Sequence, residues 1–272
     1  MRARYFAILM ACFSLPACGA VVPEIQENRA APGDAYTMVQ AITQSVKCEL
    51  ATALRDVWTD PYLHAQHTID FLSQWGVQIT LTLTIDEKSS IGPNLVWMPP
   101  SPAAAIFGLG LGGAASADAT RKDTLSFYYL VPTLLTMSPC KGGPQGNDNS
   151  LLVQSDLKIE EWLRTYISPV GTSVINAPTS NSGVLKDNAL SHDIKFDVVT
   201  SGNLTPGWKL TRVTVNNSPP FLSASRDRTH DLSIIMGPGD KTGLTGNAAL
   251  TAYEAQQIDS AIATGFRSAL TP

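Results

Sequence analysis

The sequence predicts an α+β fold: one antiparallel sheet of about six strands with helices packed on one side. Three observations predict it. Val77, Ile79, Leu81, Leu83 and Ile85 alternate with Gln78, Thr80, Thr82, Thr84 and Asp86, a strict period of two that gives a strand one apolar and one Thr-lined face. Two long stretches, 34–58 and 245–270, repeat their apolar residues at helical spacing. The remaining segments fall into blocks, in the order α-α-βββ-α-βββ-α, rather than the regular alternation of a parallel sheet.

Taken in order, residues 34–58 carry Val39, Ile42, Val46, Leu50, Leu54 and Val57 on one stripe, with Asp34 placed to cap the helix and Pro61 to end it. Residues 62–75 read as a second, shorter helix stopped by Gly76. The strand from Val77 leads into a Pro-rich loop over 87–103. Phe107, Leu109 and Leu111 then alternate with glycines, and 123–131 (DTLSFYYLV) reads as the returning strand, so 105–131 is expected to be a hairpin turning at 114–121. A Gly/Pro/Asn loop over 136–150 precedes an amphipathic helix with Leu157, Trp162, Leu163 and Tyr166 on its buried side, ended by Pro169. Residues 168–188 are polar and loop-like. Strands follow at 192–200, 208–215 and 228–236, and a long helix over 245–270 carries Leu250, Tyr253, Ile258, Ile262, Phe266 and Leu270.

The two βββ blocks share a pattern. Ser116-Ala117, Arg121 and Leu125-Ser126 recur at identical spacing as Ser223-Ala224, Arg228 and Leu232-Ser233, and the strand at Ile79 corresponds to the one at Ile194. A duplicated αβββ unit would place Arg121 and Arg228 at equivalent strand entries.

Composition excludes some functions. The net charge is −4 and the pI near 5.5, so no basic surface exists to neutralise a phosphate backbone, and no nucleic-acid partner is expected. Charged residues are 15% of the chain, below the usual share of about a quarter, and the apolar 44% can build a core.

The N-terminus has its own organisation. Arg2 and Arg4 precede an uncharged apolar run, Tyr5 to Leu15, too short to span a bilayer, which needs about 20 apolar residues. That is the composition of a secretory signal peptide over 1–17. Leu15-Pro16-Ala17-Cys18 resembles the lipobox of bacterial lipoproteins. The resemblance implies acylation of Cys18 as the first mature residue. With Gly19 rather than Asp behind it, it also implies an outer-membrane location facing the periplasm. Residues 18–33 then read as a lipidated tether and 34–272 as one globular domain. Cleavage takes Arg2 and Arg4 from the 19 basic residues, leaving 17 against 23 acidic ones and a net charge of −6. Attachment to the membrane would then rest on the acyl chains, since no basic patch is available for anionic lipid.

Cys48, off the buried stripe of its helix, and Cys140, in a Gly/Pro loop, are left as an even pair, expected to form a disulfide in an oxidising compartment. The bridge would pin the loop and contribute up to about 4–5 kcal/mol through chain entropy.

Several constellations invite chemistry. Ser155/Lys158, Ser201/Asn203 and Lys241/Gly243 follow the S-x-x-K, S-x-N and K-T-G order of serine penicillin-binding enzymes. However, the first two motifs lie too close in sequence for the intervening helical subdomain, and Ser155 sits where a helix N-cap belongs. His64 and His67 share a helical face without a marked third ligand, so no metal is expected. His192-Asp193 and His230-Asp231 each begin a strand, with no G-x-S-x-G elbow to complete a triad. Arg226 and Arg228, in the densest charge cluster, are candidates for binding an acidic partner or pairing within the chain. No cofactor fingerprint occurs. The expected function is a non-catalytic envelope lipoprotein, structural or protein-binding. The alternatives are a serine hydrolase of cell-wall or envelope substrates and a small-ligand binder using a Thr- or Gly-lined strand face. A closed outer-membrane barrel is less expected, because the smallest have about eight strands and lack long intervening helices.

Overall fold

The computed structural model describes residues 22–25, 34–65, 69–98, 109–137, 151–171, 174, 189–204, 208–209, 213–215 and 221–270. The α+β class holds. The helices are α1 (Asp34–Trp58), α2 (Pro61–Ala65), α3 (Val131–Thr136), α4 (Leu151–Gln154), α5 (Ile159–Gly171) and α6 (Asn247–Leu270). The strands are β1 (Trp75–Ile91), β2 (Asn94–Trp97), β3 (Leu109–Gly112), β4 (Ala115–Leu130), β5 (Leu190–Leu204), β6 (Trp208–Lys209), β7 (Val213–Val215), β8 (Leu222–Asp240) and β9 (Gly243–Leu244). Instead of one six-stranded sheet there are two. The larger has the order β4-β1-β8-β5, with β9 on β8, and the smaller the order β3-β2-β7-β6. The chain gathers into two compact units, and β1, β4, β5 and β8 contribute residues to both.

The larger unit comprises 26–82, 124–196 and 230–272. Its core is the apolar stripe of α1 (Met38, Ile42, Val46, Leu50, Leu54, Val57) with Ile159, Trp162, Leu163 and Ile167 of α5 and Val77, Ile79, Leu81, Leu232, Ile234 and Met236 of the strands. The side-chain period of two decides what each strand residue meets. His192 stacks on Trp162 of α5 at 5.0 Å between ring centroids. Its neighbours Ser191 and Asp193 point the other way and accept hydrogen bonds from Gln256 Nε2 of α6 at 3.1 and 2.6 Å. Helix α6 therefore adds a layer on the face opposite α5, and Ser233, bonded to Gln256, is buried beneath it. The Thr face of β1 forms a polar layer with β4, through Thr80–Ser126 at 3.3 Å and Thr82–Thr124 at 3.4 Å.

Helix ends use long-range partners. The carboxylate of Glu49 in α1 accepts from the backbone N–H of Leu157 and of Ile159, and so caps α5 from a neighbouring helix. Burial pushes its pKa up, against the pull of those two bonds. Pro169 lies within the last turn of α5, which continues to Gly171. The residues expected to form a second helix over 62–75 give the five-residue α2 and a 3-10 turn at Asp70–Gln74, and β1 already begins at Trp75. Helix α3, unforeseen, starts where Pro132 supplies a ready-made first turn.

The expected hairpin over 105–131 is not formed as such. In the smaller unit (1–25, 83–123 and 197–229), β3 pairs with β2, while the segment read as a turn, 114–121, is strand β4 pairing with β1. Alanine, serine, threonine and aspartate there make a strand without a hydrophobic signal. Strand β3 instead pairs antiparallel with β2, Trp97 standing opposite Leu109.

Candidate functional site

The smaller unit carries the features that packing does not explain. Its first hairpin keeps one register through both sheets. Asp86 faces Thr120, Lys88 faces Asp118, Gly113 N–H donates to Pro93 O, and the same step continues from Asn94–Gly112 to Trp97–Leu109. Alternate residues thus share a face. On one face lie Lys88, Ser90, Asn94, Val96, Gly110, Gly112, Ala114, Ser116, Asp118 and Thr120. Polar pairs knit this face: Thr120–Asp86, Lys88–Asp118 at 3.6 Å and Ser90–Ser223 at 2.6 Å. On the other face lie Ile91, Leu95, Trp97, Leu109, Leu111, Ala115 and Ala117. Here Leu95 stands opposite Leu111 and Trp97 opposite Leu109, and these four side chains are 37%, 60%, 42% and 42% exposed. An apolar ladder of this kind in water calls for a covering surface.

At the other end of the apolar face sits a charged clamp. Arg226 Nη1 meets Glu87 Oε1 at 2.8 Å, with the two side chains 21% and 10% exposed. Arg226 Nη2 donates to Glu24 O at 2.5 Å, and Arg121 Nη1 to Pro23 O at 3.5 Å while its own charge is held by Asp123 at 2.7 Å. Two guanidinium groups thereby hold two successive carbonyls of the chain's beginning, and Pro23 and Ile25 are buried there. Part of the stretch read as a free tether is an ordered strap. Arg226 finds its acidic partner within its own chain, and Arg228 is half-buried beside it.

The fold separates the other candidates. Ser155 and Lys158 lie in a non-helical approach to α5, where Lys158 adopts a left-handed φ of 58° and pairs with Asp156 at 2.7 Å in the open. Ser201 and Asn203 are exposed on β5, and Lys241 on the turn between β8 and β9. His192 uses Nε2 on Leu157 O at 3.0 Å, on the face opposite its neighbour Asp193. His230 is buried and its neighbour Asp231 half-buried in β8. His67, Cys18 and Cys140 fall outside the described residues, as does the side chain of His64; Cys48 is half-buried on α1, with Gln44 Nε2 at 3.4 Å. Among the described residues no group of three His, Cys, Asp or Glu could hold a metal, and no helix is long and apolar enough to cross a membrane.

A signal for the strand ends was present in the sequence. From Ser89 to Ala117 there is no Asp, Glu, Lys or Arg, and from Val198 to Ser225 the charged residues are Lys209 and Arg212. The strap had no such signal, because it is held through its own main-chain carbonyls, which every residue carries.

No family model matches the chain, and no curated protein does. Among solved structures it shows a slight likeness to the secretin-domain β-barrel of InvG from the Salmonella SPI-1 injectisome. The identity is 11% over 68% of this chain and 69% of that one, with a TM-score of 0.11, a value that carries no argument.

Proposed function

We propose that the chain is a non-catalytic lipoprotein of the outer membrane, with a structural, protein-binding role on the periplasmic side. The observation that carries this reading is the strap. The apolar leader and Cys18 lie just ahead of four residues clamped by Arg121 and Arg226, so an acyl anchor at Cys18 would be joined to the folded unit through residues 19–21 alone. At about 3.5 Å per residue, that link reaches roughly 14 Å from Val22. The pairing of Lys158 with Asp156 and the contact of His192 with Leu157 O favour this reading over the hydrolase. The exposed ladder Leu95–Leu111 and Trp97–Leu109 supplies a surface for a partner. The Cys48–Cys140 disulfide belongs to the same proposal, as expected of an exported protein.

The test is metabolic labelling with radioactive palmitate, followed by membrane fractionation. The wild-type protein is expected to carry label and to sediment with the outer membrane, and Cys18→Ala to lose both. A wild-type protein without label overturns the reading.

A further inference from the structure

We infer that the β2–β3 hairpin is a lipid-contacting surface: its apolar face, made by Leu95, Trp97, Leu109 and Leu111, lies against the acyl chains at the surface of the bilayer. The inference rests on the outer-membrane reading above and gives the exposed ladder its partner, the membrane that the chain is anchored to.

The distribution of charge favours lipid over protein as the occupant. Charged residues are 15% of the chain, yet none occurs from Ser89 to Ala117. The boundary is sharp: Lys88 and Asp118, the first charges met on the two strands, pair with each other at 3.6 Å. A protein partner needs an apolar patch on the face it covers, set within a polar rim. It places no demand on the opposite face. Here that opposite face is also free of charge, with Ser90, Asn94, Val96, Gly110 and Ser116 on it. Hydrocarbon makes the wider demand, because an unpaired charge is costly near acyl chains whichever way its side chain points. The composition of the ladder agrees. Trp97 brings a ring whose body suits acyl chains and whose N–H suits the headgroup level. Met98, which follows it, is exposed as well.

The depth of the contact follows from the register. The rows Leu95–Leu111 and Trp97–Leu109 lie two residues apart, about 7 Å along the strands. A bilayer's hydrocarbon core is about 30 Å thick. The ladder therefore matches the shallow burial of elements that lie in the interface plane, about 5–10 Å, and crosses nothing.

The strap places the anchor on the same side. The step that sets Thr120 against Asp86 sets Arg121 against Ile85, and Arg226 meets Glu87. Ile85 and Glu87 share their face with Ile91, so the two guanidinium groups that hold Pro23 O and Glu24 O stand on the face of the ladder. Val22, next towards Cys18, is exposed. One membrane plane can then receive both an acyl group at Cys18 and the ladder. Two weak attachments of this kind hold a protein to a membrane more firmly than either alone.

The experiment uses the full chain, expressed with its leader and reconstituted into phosphatidylcholine vesicles whose acyl chains carry bromine, a quencher confined to hydrocarbon. The emission of Trp97 is taken as the difference between wild type and Trp97→Phe; Trp75 and Trp162 are buried in the larger unit. The expected result is a Trp97 signal strongly quenched by bromine and little quenched by acrylamide in the water. Leu111→Asp is expected to reverse that order with an unchanged unfolding midpoint. Trp97 quenched by acrylamide and not by bromine overturns the inference. So does a Trp97 shielded from both, which places a second copy or another protein on the ladder, and so does a folded Leu111→Asp variant quenched by bromine like wild type. Palmitate labelling of the same preparation separates the two readings. A labelled chain whose Trp97 escapes bromine ends the lipid contact and keeps the lipoprotein, whereas an unlabelled chain whose Trp97 is quenched by bromine ends the lipoprotein reading alone.

Discussion

The same four strands live in two environments. Residues 75–82 of β1 are nearly all buried, with α1 and α5 contributing to the core on one side and the Thr80 and Thr82 layer on the other. Beyond Ile85 the pattern loosens, and in β2 and β3 Leu95, Trp97, Leu109 and Leu111 face outward. Burial of a leucine stabilises a fold by about 1.5–3 kcal/mol, so the first region is where stability resides. The second keeps strand pairing and alternation without a core beneath its apolar face. The contrast separates residues retained for folding from residues whose chemistry is directed outward.

Mutations can sharpen that division. The largest loss is expected for Leu163→Ala, fully buried in α5, at about 2–5 kcal/mol, measured by urea unfolding. Arg226→Ala leaves the Glu87 carboxylate without its cation and should cost about 3 kcal/mol. It should also release the strap, read as faster proteolysis after residue 25. Gly76→Ala places a methyl group against the Tyr128 ring, which sits over Gly76 and Gly239, and should cost about 1–3 kcal/mol. The Tyr128 phenol itself, pushed up to about 12 by burial and by Asp240, should ionise only near that pH in an ultraviolet titration.

Glu49 gives a pH signature. Its pKa is raised in the folded state, so the fold binds that proton more tightly than the unfolded chain does. Its contribution is fully present below the ordinary value of 4.5 and is lost as pH rises through the folded value. Unfolding midpoints taken across that window should flatten in Glu49→Gln. The smallest effect is expected for Leu111→Ser in the outward ladder, within about 0.5 kcal/mol of wild type. A loss as large as that of Leu163→Ala would erase the distinction between the two regions.

Much of the covered region was legible in the sequence. The α1 boundaries, Asp34 to Trp58, and the alternation from Val77 follow from periodicity, because a core imposes its period on the residues that enter it. The open region was harder to read. Leu109-Gly-Leu-Gly112 alternates as expected, but its pairing with β2 rather than β4 has no mark in the local pattern. The clamp was half legible: the Arg226 cluster stood out, while its partners, Glu87 and the carbonyl of Glu24, are 139 and 202 positions away. Local patterns do not encode such distances.

Those separations also set an order of events. One of the two groups that hold the strap sits on β8, 202 positions further along the chain. Contacts of such long range close late, since the loop entropy must be met before they form. The strap can therefore be fastened only after β8 has been made, and Arg226 acts as a check that this strand is in place.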